Sequence, residues 1–291
     1  MQKINSFSPQ ECDFTEVLTH IANAPELLYY YGKLPEKRVK TVGIVGSRHS
    51  TRYGEEVAEK IAYELAKRGV VVVSGLAFGI DTAAHRGAVA AEGVTIGVLG
   101  TEIEKIYPAV NKRLAERMIE LGGAVMSAYR RGDEIFPQTS FLERNRIISG
   151  LADAVVVVEA AIKSGSLNTA AHALAQGKQV FAVPGNITNP YSQGCNKLIK
   201  QGAEPVTEVG DVADFFFPPE KTRRKKQGQL VIFGDSEEET AVLKVLYEGV
   251  TDGEEIVEKT GMATEKFIQT ITMLEIKGRV KSLGANQWVI E

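Results

Sequence analysis

The sequence predicts a doubly wound, mostly parallel α/β sheet followed by a small winged-helix domain, and three observations carry that reading. From Thr41 onward one theme repeats: a short apolar run rich in β-branched residues, a turn containing glycine, and a helical stretch. The apolar runs are continuous rather than alternating, which is the pattern of strands covered by helices on both faces. After residue 235 the theme stops, and three helical stretches lead into two short strand-like segments.

Taken in order, residues 1–37 form an N-terminal extension with a helix expected at 13–23. An aromatic stretch at 27–31 reads either as an added edge strand or as a segment packed on the next domain. The sheet domain spans 38–217, with strands expected at 41–45, 70–74, 94–99, 124–127, 154–158 and 179–183, and a last one near 204–207. Residues 218–235 carry Pro218, Pro219 and the basic run Lys221, Arg223, Arg224, Lys225 and Lys226. That composition suits a solvated linker or a nonspecific electrostatic contact with nucleic acid. The winged helix occupies 236–291, with helices at 237–247, 253–260 and 264–277 and a wing at 279–290 that turns at Gly284.

The composition sets limits on function. A chain of 291 residues that is 44% hydrophobic and 24% charged suits two ordinary globular domains. Cys12 and Cys195 stand far apart and outside any CxxC pair, so neither a disulfide framework nor a zinc site is suggested. No basic segment leads into an apolar run at the N-terminus, and the apolar runs are strand-length. A soluble, cytoplasmic protein without membrane contact is expected. The net charge of −3 argues against a nucleic-acid ligand until it is resolved by segment: −2 for 1–37, +1 for 38–217, +3 for 218–235 and −5 for 236–291. The acidity thus sits at the C-terminal end. There the third helix offers mainly Lys266, Gln269 and Lys277, so protein contact is favoured over base reading for this domain.

The sheet domain holds the candidate ligand site. Its first strand runs into Gly46-Ser47-Arg48 ahead of a helix, a turn that delivers backbone N–H groups, a hydroxyl and a guanidinium to a phosphate. The spacing Gly43 to Gly46 and the absence of an acid at the tip of the second strand count against a dinucleotide cofactor. A second glycine turn, with Gly75 and Gly79, follows that strand, and a third polar turn, Lys163-Ser164-Gly165-Ser166 with Thr169 just beyond, opens a later helix. Three such turns on one sheet edge would make a long groove. Between them lie Phe141, Arg144, Asn145 and Arg146. An aromatic with arginines suits a single strand, the ring stacking on a base and the cations on phosphates; a core phenylalanine and a solvated helix face are the other reading.

Catalytic arrangements are not apparent. His20, His49, His85 and His172 form no short metal-ligand spacing, and Gly165-Ser166-Leu167 is not a nucleophile elbow. Glu159, at a strand tip, lacks an identifiable base or nucleophile partner and is expected to cap a helix or hold a hydrogen bond. No enzyme activity, metal or cofactor is expected.

The segments Gly46-Ser47-Arg48, Ser74-Gly75-Leu76-Ala77-Phe78-Gly79-Ile80-Asp81, Arg144-Asn145-Arg146-Ile147-Ile148, Ser164-Gly165-Ser166-Leu167 and Phe181-Ala182-Val183-Pro184-Gly185 together resemble the DprA (DNA processing protein A, Smf) family, in family order and across roughly residues 27–217. The resemblance implies a Rossmann-like, non-enzymatic domain that binds and protects single-stranded DNA, forms a homodimer and helps load the RecA recombinase during natural transformation. The tail after Glu237 is similar to the winged helix of many members. The 26 residues before Leu27 are too few for the helical sterile-alpha-motif-like domain that many members carry. Where the family often reads Phe-Pro-x-Arg-Asn-Arg, this chain has Phe141-Leu142-Glu143-Arg144-Asn145-Arg146, and Glu143 is expected to add a negative charge to the groove. Two other functions have their own sequence requirements. A nucleotide-binding sensor or phosphoribohydrolase would need Pro-Gly-Gly-x-Gly-Thr-x-x-Glu, where the chain has Ser164-Gly165-Ser166-Leu167-Asn168-Thr169. A winged-helix regulator would need a basic recognition helix.

Overall fold

The computed structural model describes residues 3–218, 234–284 and 286–290. They fall into two compact units, residues 1–218 and 219–291, each considered by itself. The basic run from Lys221 to Lys226 lies outside the described residues.

Nine strands make the sheet of the first unit. Two short ones open the chain, β1 (Asn5–Phe7) and β2 (Leu28–Gly32), and seven follow: β3 (Thr41–Val45), β4 (Val71–Ser74), β5 (Thr95–Leu99), β6 (Ala124–Ser127), β7 (Ala154–Val157), β8 (Gln179–Ala182) and β9 (Glu204–Pro205). Their order across the sheet is β1-β2-β6-β5-β4-β3-β7-β8-β9. The seven later strands are parallel, while β2 pairs antiparallel with both β6 and β1. The aromatic stretch near residue 30 therefore joins the sheet but is not its edge. The three residues of β1, too short to leave a sequence signal, cover it.

From β3 the chain winds outward through β4 and β5 to β6, then crosses back to lay β7 against the other side of β3, with Val42 opposite Val72 and Ile44 opposite Val156. That reversal opens a crevice at the carboxyl ends of β3 and β7. Helices α2 (Arg52–Lys67), α3 (Ile80–Ala90) and α8 (Val209–Phe216) cover one face, and α5 (Pro137–Leu151), α6 (Gly165–Ala175) and α7 (Gln193–Lys200) the other; α4 (Lys112–Glu120) lies near β6. The valines divide accordingly. Val71, Val73, Val155 and Val157 pack with Ile147 and Leu151, whereas Val70, Val72, Val156 and Val158 pack with Ile61, Leu65 and Ile80. Burial on both faces is why these strands read as unbroken apolar runs.

The helix expected at 13–23 is shorter. Its α-helical part, α1, covers Asp13–Glu16 and gives way to a 3-10 turn over Val17–His20. The threonines explain the change: Thr15 Oγ1 donates to the carbonyls of Pro9 and Cys12, and Thr19 Oγ1 to that of Glu16, local bonds that compete with the helix ladder.

In the second unit α9 (Glu237–Tyr247), α10 (Gly253–Thr260) and α11 (Thr264–Ile276) precede the antiparallel wing of β10 (Val280–Gly284) and β11 (Gln287–Ile290). Ser236 and Asp252 accept from backbone N–H groups at the starts of α9 and α10. Leu243, Phe267, Ile271 and Leu274 form the core, and Trp288 of the wing meets Phe267 edge to face at 5.7 Å. This is the winged helix expected from the sequence, with Gly284 at φ +83° where the wing turns.

Candidate nucleic-acid interface

A cleft of about 410 Å³ lies at the crevice between β3 and β7. The turn after β3 contributes Gly46, Ser47, Arg48 and His49; the turn after β7 contributes Lys163, Ser164, Gly165 and Ser166; α5 contributes Phe141, Arg144 and Asn145. Thr169 and Tyr191 complete the wall.

The turn after β3 is held from below. Ser47 N–H donates to the Glu159 carbonyl at 2.7 Å, and Ser47 Oγ accepts from His49 N–H at 3.1 Å. Arg48 is exposed, its guanidinium 5.0 Å from the centroid of the Phe141 ring. The start of α2 nearby already has an anion of its own. Glu159, 2% exposed, accepts from Thr51 N–H at 2.8 Å and from Thr51 Oγ1 at 2.6 Å, and Thr51 Oγ1 in turn caps Gly54 N–H. Glu159 is thus a hydrogen-bonding anchor for the helix start. The α2 terminus is occupied from within the chain, while the exposed backbone and side chain of Arg48 border the cleft.

At the opposite wall Ser164 caps α6, its Oγ accepting from Ser166 N–H and sharing a 2.7 Å bond with Ser166 Oγ. Lys163 and Gly165 are exposed beside it. Asn145 Nδ2 donates to the Gly165 carbonyl at 3.2 Å and to Asn168 Oδ1 at 3.3 Å, so it sets the position of this turn. Phe141 is half-buried, backed by Gly100, where a Cβ would come within 2.7 Å of its Cδ1.

Several predicted residues are placed differently. Gly75 and Gly79 do not line the cleft. Gly75 N–H is spent on Asp81 Oδ2 at 3.1 Å, and a Cβ there would lie 1.7 Å from Arg144 Nη1. Gly79, at φ +73°, passes so close to the Ser47 carbonyl that a Cβ would approach to 2.3 Å. At both glycines the backbone passes too close to a neighbour for a side chain, and Gly75 N–H already has its partner within the chain. Arg144 is 5% exposed, and its Nη1 donates to the carbonyls of Gly75 at 2.6 Å and Val98 at 2.9 Å. It ties α5 to the ends of β4 and β5 and lends the cleft its charge from beneath. Burial lifts the Asp81 carboxyl above the usual range, with Arg144 opposing the rise. Arg146 faces a different cavity, and Glu143 faces it too, hydrogen-bonded to the Tyr129 hydroxyl. The charge expected to weaken the groove is therefore directed away from it. A three-turn groove reduces to two turns and a helix, because the segment after β4 supplies only Ala77 and the buried Asp81 to the lining. His49 and Tyr191 were missed in the sequence: a lone histidine carries no spacing signal, and Tyr191 reaches the cleft through a loop whose carbonyl accepts from Ala160 N–H at 2.7 Å.

Among the described residues no helix is long and apolar enough to cross a membrane, and no three of His, Cys, Asp and Glu gather as metal ligands.

Comparison with known proteins agrees with the architecture. The profile of the DNA recombination-mediator protein A family matches residues 5–217, and that of the DprA winged helix domain matches residues 231–286. The chain is 43% identical over 217 residues to the DNA processing protein DprA of Streptococcus pneumoniae, covering 74% of this chain and 76% of that one. It is 46% identical over 191 residues to the protein Smf of Escherichia coli, 65% of this chain and 50% of the other. The X-ray structure of the S. pneumoniae protein superposes with a TM-score of 0.66 at 42% identity, covering 73% of this chain and 74% of that one. A Helicobacter pylori DNA processing protein A, solved for its single-stranded DNA binding mode, superposes at 0.63 with 28% identity, covering 74% and 96%. The sheet order, the cleft at the strand reversal and the matched profile agree, and the chain belongs to the DNA recombination-mediator protein A family.

Proposed function

We propose that this protein binds single-stranded DNA in the cleft between β3 and β7 without carrying out chemistry on it. The observation that carries the reading is the convergence of two exposed cations, Arg48 and Lys163, on a cleft walled by a half-buried ring, Phe141. Cations tracking phosphates beside an aromatic platform suit an unpaired strand, whose bases are free to stack. The single-stranded DNA bound by the H. pylori relative supports the same ligand class.

The groups that a hydrolase would use are otherwise engaged. Glu159 holds Thr51, Asp81 is buried against Gly75 N–H, and His85 is fully buried with its Nδ1 2.8 Å from Thr95 Oγ1. The non-enzymatic reading rests on those engagements. Family membership supports a role in recombination, and we extend the proposal to protection of the strand, its delivery to the RecA recombinase during DNA uptake, a homodimeric state and a cytoplasmic location. The winged helix, at −5, is assigned to protein contact.

A polarization titration comparing single-stranded with duplex DNA of equal length at two salt concentrations tests the reading. Single strands are expected to bind more tightly, with a salt slope that shrinks by roughly 0.7 for each phosphate contact removed. Equal or tighter duplex binding would refute it.

A further inference from the structure

A second cavity, about 190 Å³, lies against the face of α5 turned away from the cleft. Leu99 and Ile147 are among its apolar walls, and its polar groups are Tyr129, Glu143, Arg144 and Arg146. Arg144 is more than nine-tenths buried, and its Nε, like that of Arg146, is enclosed without an acceptor among the described residues. Buried donors are nearly always paired, so two orphaned guanidinium N–H groups beside one cavity point to a ligand that supplies acceptors.

The carboxylate of Glu143 narrows the chemistry. Tyr129 donates its hydroxyl to Glu143, and burial together with that carboxylate pushes the phenol up to about 12, so it remains a donor at neutral pH. Glu143 is thereby oriented, with lone pairs left to accept from a ligand. A bare anion is opposed by Glu143, and a cation by the two arginines. A flat heterocycle with acceptors on one edge and donors on the adjoining edge satisfies both. Guanine does so most fully: O6 and N7 accept from a guanidinium, while N1–H and the exocyclic amine donate to a carboxylate. The cavity is smaller than the ~300–1,000 Å³ of sites that take drug-sized ligands, which suits a base with its sugar and phosphate outside.

We propose that this cavity takes a single unstacked guanine base, read by Glu143 and Arg146. The base comes either from the strand held in the cleft, in which case the inference rests on the function proposed above, or from a free guanine nucleotide.

The test uses the full-length protein and two titrations. Polarization compares a fluorescent oligothymidylate with strands of equal length carrying one central dG, dA or dC; calorimetry titrates guanosine monophosphate. If the strand is the source, one dG tightens binding about 10-fold over thymidylate alone, and dA or dC does less. Glu143→Gln, close to isosteric, removes that preference while leaving thymidylate affinity unchanged. If the source is a free nucleotide, guanosine monophosphate binds the wild type, Glu143→Gln abolishes its binding, and the strand series is flat. The proposal is overturned if neither a dG preference nor nucleotide binding appears. It is equally overturned if either effect persists in both Glu143→Gln and Arg146→Met. Failure of every strand to bind would refute the cleft reading, and the calorimetric arm would still decide this cavity.

Discussion

Truncating Phe141 to alanine separates a DNA platform from a packing residue. The ring stands at the cleft wall with the Arg48 guanidinium 5.0 Å and the Tyr107 ring 6.0 Å from its centroid. Two contributions are lost in Phe141→Ala: stacking with a base, about 1–3 kcal/mol, and the cation–π contact that holds Arg48 over the cleft, about 0.5–1 kcal/mol at an exposed site. Together they amount to about 1.5–4 kcal/mol, or roughly 10- to 1,000-fold in Kd. A double-mutant cycle with Arg48→Ala isolates the second contribution, and the coupling between the two positions is expected at about 0.5–1 kcal/mol. The assay is polarization on a fluorescent single strand, with a thermal melt of each variant alongside. If Kd stays within about twofold of wild type while the melting temperature drops, Phe141 only packs and the stacking argument is wrong.

The other expectations are these. Arg48→Glu weakens single-strand binding more than Arg224→Glu, because Arg48 sits on a braced turn; the reverse ranking in titrations would make the basic run the DNA site. Deleting residues 220–291 leaves most single-strand affinity in place, since the cleft is built by residues 45–191. If a truncation ending after Gln229, which keeps the basic run, still loses most of its affinity, the winged helix contacts DNA. Glu159→Ala removes two charge-assisted bonds that hold the Thr51 cap of α2, lowering stability by about 3 kcal/mol in denaturant unfolding, with Glu159→Gln losing less; unchanged stability would contradict its anchoring role. Burial lowers the His85 imidazole to about 3, below its unfolded value, so the unfolded chain binds the extra proton and stability is lost as pH falls through 6.5. Between pH 7 and 5 the wild type should lose about 2 kcal/mol more than His85→Gln, and parallel pH profiles would remove His85 as the cause.

Much of the fold was legible because its signals are local. Continuous valine runs marked strands buried on both faces, and glycine turns marked where they end; the resulting strand positions differ from the structure by a residue or so at their ends. What escaped was set by distant partners. Three residues at β1 leave no periodic trace, and their strand exists because β2 offers an unpaired edge. Within the site, residue type located the cleft but not the direction of each side chain. Successive residues on a helix point about 100° apart, so Arg144 and Arg146, alike in the sequence, diverge: Arg144 is buried between the cleft and the second cavity, while Arg146 lines only the second cavity. Gly75 and Gly79, read in the sequence as a second donor turn, lie instead where Arg144 and the Ser47 carbonyl come too close for any side chain.

The same diversions account for how a nearly neutral domain presents a basic cleft. The sheet domain carries a net charge of only +1, so affinity must come from where charges point. Two of the acids nearest the strand reversal are withdrawn, Glu159 into the start of α2 and Asp81 onto Gly75 N–H, and Glu143 turns to Tyr129 on the far side of α5. Arg144 stays under the cleft, fixed by two carbonyls with Asp81 close by, while Arg48 and Lys163 remain exposed at the rim. The internal carboxylate of Glu159 already satisfies the start of α2, so on the proposed function a phosphate would be left to these side chains and the α6 turn. The preference for a flexible single strand proposed above would follow from that layout: Arg48 with the Phe141 ring beside it, and Lys163 across the cleft, form an arrangement that a bending backbone can follow and a stiff duplex with its bases stacked inside cannot.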